Sequence, residues 1–150
     1  MHKFVIFSIN FLFMFSCHNS KITGENPAKT DFEVLYISEY GGSGEEMTEV
    51  ISDVGQLNKL WVMITGQSDV PAPLFDADND MIVRQDFPSQ RSGGDKYEIT
   101  SMEIKNQRID FYYTVTSPEI GTYAITNPII LIKIPRIENP SIHFNLIRNQ

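Results

Sequence analysis

The side chains able to do chemistry are few and widely spaced along these 150 residues. There are three histidines, His2, His18 and His143, and a single cysteine, Cys17. One cysteine forbids an internal disulfide. One histidine beyond residue 18 leaves no Cys/His set for zinc. A Ser-His-Asp arrangement would have to use His143. That residue lies in Ser141-Ile142-His143-Phe144-Asn145-Leu146, where polar and apolar residues alternate, so it is expected on the solvent side of a strand. Asp76, Asp78 and Asp80 stand at alternate positions, the spacing of carboxylates in a calcium loop. An EF-hand loop then requires Gly at its sixth position and Glu at its twelfth. Met81 and Phe87 stand there, so a solvated acidic turn is expected and no metal. Arg91-Ser92-Gly93-Gly94 has the makings of an anion nest, but a glycine pair more simply supplies the positive φ of a hairpin turn. Such a hairpin is expected to serve as a contact surface. Acidic residues are abundant, yet none pair off as the two carboxylates of a glycosidase would. No catalytic residue and no cofactor are expected.

Cys17 takes its meaning from what precedes it. His2 and Lys3 open the chain, and residues 4–15 are apolar apart from Ser8 and Asn10. That run is too short for a spanning helix, which needs roughly 20 apolar residues, and it has the length of a signal-peptide core. A small residue, Ser16, then precedes Cys17, which resembles the lipobox of bacterial lipoproteins. The resemblance implies cleavage after residue 16 and lipidation of Cys17, with the membrane reached only through that lipid. Acyl chains contribute about 0.8 kcal/mol per buried methylene, and two or more hold durably. Residues 17–30 are polar, include Gly24 and Pro27, and read as a flexible tether. The expected place is the cell envelope. His18 follows the cysteine where an Asp would resemble an inner-membrane retention signal, which favours the outer membrane in a cell that has one.

Charge narrows the partners. The whole chain carries −7; losing residues 1–16 removes only Lys3 and leaves −8. A surface so acidic argues against nucleic acid, whose phosphates need basic groups, and against anionic lipid heads.

The remaining residues, 31–150, read as one mainly β domain of the α+β kind: an antiparallel sheet, open β-barrel or sandwich with one packed helix. Phe32, Val34 and Tyr36 alternate with Glu33, Leu35 and Ile37, and residues 47–51 suit a short strand. Val54, Leu57, Leu60, Trp61 and Ile64 recur at helical spacing, between Ser52 or Asp53 as a cap and Gly66 as a stop. Trp61 is expected as a core anchor. Residues 67–80, with Pro71 and Pro73, form a long loop of the kind that is usually functional or mobile. Strands are expected at 81–87, at 97–105 with a bulge near Thr100-Ser101, at 108–116 with Ile109, Phe111, Tyr113 and Val115 on one face, at 129–134 as a covered central strand, and at 141–147.

Several of these pieces together are similar to the C-terminal domain of the PrcB family, the protease stability complex subunit. They are the helix ending in Leu60-Trp61, the Pro-rich loop, the strand Met81-Ile82-Val83, the Gln90-Arg91-Ser92-Gly93-Gly94 turn before Tyr97-Glu98-Ile99, and the closing Pro128…Ile132-Lys133-Ile134-Pro135 strand, spanning residues 50–136. The resemblance implies a non-catalytic envelope protein that binds and stabilises a protease or another secreted partner. Its expected contact residues are Pro71, Pro73, Leu74 and Phe75 in the long loop, and Arg91, Ser92, Gly93 and Gly94 in the turn. Two alternatives remain: a lipoprotein that binds glycan or peptide, which needs a pocket with convergent polar groups, and a protease inhibitor presenting residues 67–80, pre-ordered by proline.

Overall fold

The computed structural model describes residues 28–29 and 31–148. The expected signal peptide, Cys17 and most of the expected tether lie outside the described residues. In chain order the elements are β1 (Ala28–Lys29), β2 (Glu33–Ser38), β3 (Met47–Ile51), α1 (Val54–Thr65), β4 (Asp80–Asp86), β5 (Lys96–Lys105), β6 (Arg108–Thr116), β7 (Ile129–Pro135) and β8 (Ser141–Leu146). They form two four-stranded sheets, ordered β1-β5-β6-β8 and β2-β7-β4-β3. The protein is a β-sandwich with one helix among the described residues, and no helix there is long and apolar enough to cross a membrane.

Alternation builds the sandwich interior. Ile109 and Phe111 of β6, Ile99 and Met102 of β5, Met81 and Val83 of β4, and Ile130, Ile132 and Ile134 of β7 meet between the sheets. The other face of the β4–β7 sheet is covered by α1. There Leu57, Leu60 and Trp61 pack on Ile51, Ile82, Ile129 and Leu131. Strands β4 and β7 are therefore covered on both faces, as the unbroken apolar run at 129–134 requires. Helix α1 begins where Asp53 Oδ1 accepts the Gln56 N–H at 2.9 Å. It ends at Gly66, whose φ of 66° a side-chain-bearing residue adopts only at a cost. Val54, first of the expected apolar stripe, is instead exposed.

Two bulges set which side chains face in. In β5 the register shifts between Ile99 and Ser101, at the expected place. The extra residue lets both Ile99 and Met102, three positions apart, enter the core. In β2 the shift falls between Val34 and Tyr36, and it corrects the expected facing. Phe32 packs into the sandwich, Val34 is exposed, and Leu35 and Tyr36 turn to the helix layer.

Most pairs are antiparallel, but β8 lies parallel to β6. A parallel neighbour needs a crossover, and here β7, in the opposite sheet, is the crossover. Alternation within a strand carries no sign of direction, so the sequence is silent on this. Ala28 and Lys29, at the end of the segment read as tether, pair with Ile104 and Glu103.

An aromatic group closes one end of the sandwich. Phe87 lies 4.6 Å from Tyr97 and 5.2 Å from Tyr113 between ring centres, and Phe111 stacks on Phe144 at 4.8 Å. Burial, then the carboxylate of Asp95, and further Tyr113 and Glu39, push the Tyr97 hydroxyl up to about 12. The unfolded chain releases this proton near the ordinary value of 10, while the folded chain keeps it. Between those values the folded state holds more protons, so stability falls as pH rises. Urea unfolding stepped through alkaline pH is expected to show this decline, and Tyr97→Phe is expected to flatten it.

Candidate partner-binding surface

The end of β4 carries three consecutive buried polar side chains, Arg84, Gln85 and Asp86. Positions i and i+2 of a strand share a face, so Arg84 and Asp86 both lie on the helix-covered side of the sheet. Arg84 Nε and Nη2 donate to Asp86 Oδ1 and Oδ2 at 2.8 and 2.7 Å. Nη1 reaches Glu49 Oε2 at 3.2 Å. Burial opposes the guanidinium charge, but the hydrogen bonds and charge of Asp86, joined by Glu49, outweigh it and hold the Arg84 pKa above its ordinary value. The Ser43 N–H also donates to Asp86 Oδ2, at 2.7 Å, which fastens the loop after β2 to this centre.

Above it three loop segments are zipped together. Gly42 N donates to Asn127 O and Phe87 N to Pro128 O, both at 2.9 Å. Ser89 N donates to Gly44 O at 2.9 Å, and its hydroxyl to Asn127 Oδ1 at 2.7 Å. Further out, Gln90 and Thr126 exchange N–H···O bonds at 2.9 and 3.0 Å, and Gly93 and Thr122 at 3.0 and 3.3 Å. The result is a narrow two-stranded arm, residues 90–94 against 122–126.

The arm revises the glycine pair. A hairpin was expected, but β4 and β5 belong to different sheets, and the Gly93-Gly94 segment crosses between them. Gly93 is buried, and a Cβ there would sit 2.6 Å from Thr122 Oγ1. Gly94 has φ +102°, and its N–H donates to Glu39 Oε2 at 2.8 Å. Both glycines hold the arm in shape, while Arg91 and Ser92 are exposed between its two bridges. Ser92 Cβ lies against Gly121 of the second segment, next to Ile120. Ile120 is 89 % exposed, Tyr123 fully exposed and Ile125 74 % exposed. Single exposed apolar residues are ordinary; three in one short segment, beside an exposed arginine, make an exposed apolar patch. Residues 117–127 show no strand or helix period in the sequence. Their signal was three large apolar residues in a Pro- and Gly-containing stretch.

The long loop is split in its roles. Leu74 is 92 % exposed, whereas Phe75 and Ala72 pack onto the core beneath α1. Pro71 is exposed and Pro73 half-buried. This loop feeds into the first residue of β4 and the arm leaves after its last, so the two expected contact segments are not one patch.

Asp76 organises the turn before β4. Its Oδ1 accepts the Asp78 N–H at 3.0 Å and its Oδ2 the Asn79 side-chain amide at 2.8 Å. Those bonds, the Asn79 one foremost, keep its pKa below the ordinary carboxylate value. Asp76, Asp78 and Asp80 do not converge: no group of three or more His, Cys, Asp or Glu among the described residues is placed to hold a metal. His143 is exposed on the outer face of β8, its Nε2 3.0 Å from Ser141 Oγ. The carboxylate opposite it in register, Asp110, is engaged by Arg108 at 2.7 and 2.8 Å and by Asn145 at 3.2 Å. The three do not form a relay.

Fold and arm together define a helix-backed β-sandwich that presents an exposed apolar loop patch beside its bridged arm. No family model matches the chain, and no curated protein or solved structure matches it either.

Proposed function

We propose that this chain is a non-catalytic cell-envelope lipoprotein, anchored through Cys17, whose domain binds and stabilises a secreted protein partner such as a protease. The observation that carries the reading is the arm. It sets Tyr123 and Ile125 in solvent on a backbone held by four reciprocal hydrogen bonds, beside Arg91 and Ser92, with Ile120 two residues before the first bridge. Tyrosine and arginine are the residues that most often dominate binding energy. A patch already rigid loses little entropy on association. The PrcB-like order of pieces in the sequence points the same way.

In the native cell, crosslinking and mass spectrometry of the tagged protein are expected to recover one dominant envelope protein. Its lifetime shortens when the chain is deleted. The double variant Ile120→Ala/Tyr123→Ala is expected to lose it, by about 2–4 kcal/mol of binding for two hot-spot side chains, with unchanged thermal unfolding. Retention of the partner by that variant would refute the arm as the contact. Absence of any stoichiometric partner in a well-crosslinked sample would refute the reading as a whole.

A further inference from the structure

Of the described sheet edges, β8 is the one without a protecting device. Edge strands invite pairing with another chain unless shortened, bulged or charged. Strand β1 spans two residues, and the stretch of β5 beyond it is bulged between Ile99 and Ser101 and carries Lys96 and Glu98; β2 is bulged and carries Glu33, and β3 carries Glu49. Strand β8, Ser-Ile-His-Phe-Asn-Leu, has six residues, a regular register, no Asp, Glu, Lys or Arg, and no proline within it. Ser141 N donates to Gln107 O and Ile147 N to Tyr113 O, both at 2.8 Å. Odd positions therefore turn their backbone to β6, because a parallel ladder uses alternate residues. Ile142, Phe144 and Leu146 turn their N–H and C=O groups to the open edge.

The same edge ends at a cleft of about 270 Å³ whose lining includes Phe87, Gln90, Asp95, Tyr97, Tyr113 and Leu146. The Tyr97 and Tyr113 rings are stacked, 19° from parallel, and Asp95 is the charged residue in the lining. Lys96 lies on the opposite face of β5 and lines the adjoining recess with Glu39; Asp95 and Tyr97 line both. Aromatic faces with a carboxylate beside them suit a cation whose aliphatic stem lies on apolar walls.

We propose that β8 is a docking edge for an extended segment of a partner protein, which pairs with the backbone of Ile142, Phe144 and Leu146 and places a lysine or arginine in the Tyr97–Tyr113 cleft against Asp95. Strand addition takes affinity from backbone bonds and specificity from alternate side-chain pockets. A second copy of this chain does not fit: its β8 offers no lysine or arginine, and two chains of −7 repel. The inference rests on the partner-binding reading only in that its ligand is a polypeptide; its cleft adjoins the arm at Gln90 but does not take in the exposed Ile120, Tyr123 and Ile125.

The test is amide NMR of the full-length protein with the peptide acetyl-Thr-Val-Lys-Val-Thr-amide, its Lys→Gln and Lys→Glu forms, and a form N-methylated at alternate residues. The lysine peptide is expected to shift the amides of residues 142, 144 and 146 together with 87, 97 and 113. The glutamate form is expected to bind at least about tenfold more weakly, since like charges repel in the cleft. The N-methylated form should lose binding without any change to the protein. Asp95→Asn should narrow the difference between the lysine and glutamine peptides, and Leu146→Pro, which removes an outward N–H, should abolish binding. Equal affinity for the lysine and glutamate peptides, shifts elsewhere, or none up to about 10 mM, where only a few kcal/mol of affinity would register, would each overturn the proposal. Tyr123→Ala is expected to bind the peptide normally, so failure of the arm and failure of the edge are read apart.

Discussion

Asp86→Ala is expected to lower the unfolding free energy by about 3–5 kcal/mol, the usual result of breaking a buried ion pair from one side. The carboxylate is fully buried and accepts from Arg84 twice and from the Ser43 N–H. Without it, Arg84, itself 8 % exposed, keeps only Glu49 at 3.2 Å, and the Glu49 side chain is half in solvent. That remaining pair is too wet to compensate for a buried guanidinium. The Ser43 N–H also loses its acceptor. For a domain whose whole stability is of the order of 5–15 kcal/mol, the loss is severe. Urea unfolding followed by circular dichroism measures it. The double variant Arg84→Met/Asp86→Leu separates charge from packing. Replacing a buried pair by apolar groups of similar volume is often neutral, so most of the loss should return. A single-variant cost below about 1 kcal/mol would mean that the guanidinium finds water, and the buried centre would be refuted.

The same substitution bears on the proposed function. Ser43 ties the segment 39–44 to Asp86, and Glu39 of that segment accepts the Gly94 N–H where the arm runs into β5. The buried pair and the exposed patch are thus joined by two hydrogen bonds through one loop. Partner binding is expected to weaken in Asp86→Ala at temperatures where the domain is still folded, because the arm must then be ordered at the expense of association.

How far the sequence discloses this arrangement depends on the range of each interaction. Residues 108–116 and 129–134 carry their own answer: strict alternation in one, apolar residues on both faces in the other. Helix α1 is equally local, with Asp53 and Gly66 three and four residues from the groups they satisfy. The β5 bulge shows as a slip in the alternation. The β2 bulge does not, because Val34, Leu35, Tyr36 and Ile37 are all apolar enough to face either way. The site is the least legible part. Arg84 and Asp86 look like solvent residues until loop 41–44 covers them, and Ser43 is 43 residues from Asp86. The arm joins residues 90–94 to 122–126, and no local period announces that pairing. Gly93-Gly94 is a turn signal by composition, yet Gly93 is required by the Thr122 hydroxyl and not by its own φ.

Trp61→Ala is expected to cost about 3–5 kcal/mol, as truncating a buried aromatic does, whereas Trp61→Phe is expected to cost less than about 1.5 kcal/mol. The contrast follows from one atom. Trp61 is 9 % exposed, centred in the layer between α1 and β7, and its indole N–H is buried without a hydrogen-bond partner. Burying such a donor unpaired costs about 1–3 kcal/mol, and phenylalanine removes that cost along with some volume. The edge contact with Tyr36, at 5.4 Å and 73°, is open to either ring. Because Trp61 is the sole tryptophan, its fluorescence in the wild-type protein reports directly on the helix layer. Coincident fluorescence and circular-dichroism transitions are expected if α1 unfolds with the sandwich. An earlier fluorescence transition would mean that α1 leaves first, and both substitutions would then act on that step alone. If Trp61→Phe proves as costly as Trp61→Ala, the indole N–H is satisfied in solution, and the helix layer opens at Trp61 enough to admit an acceptor.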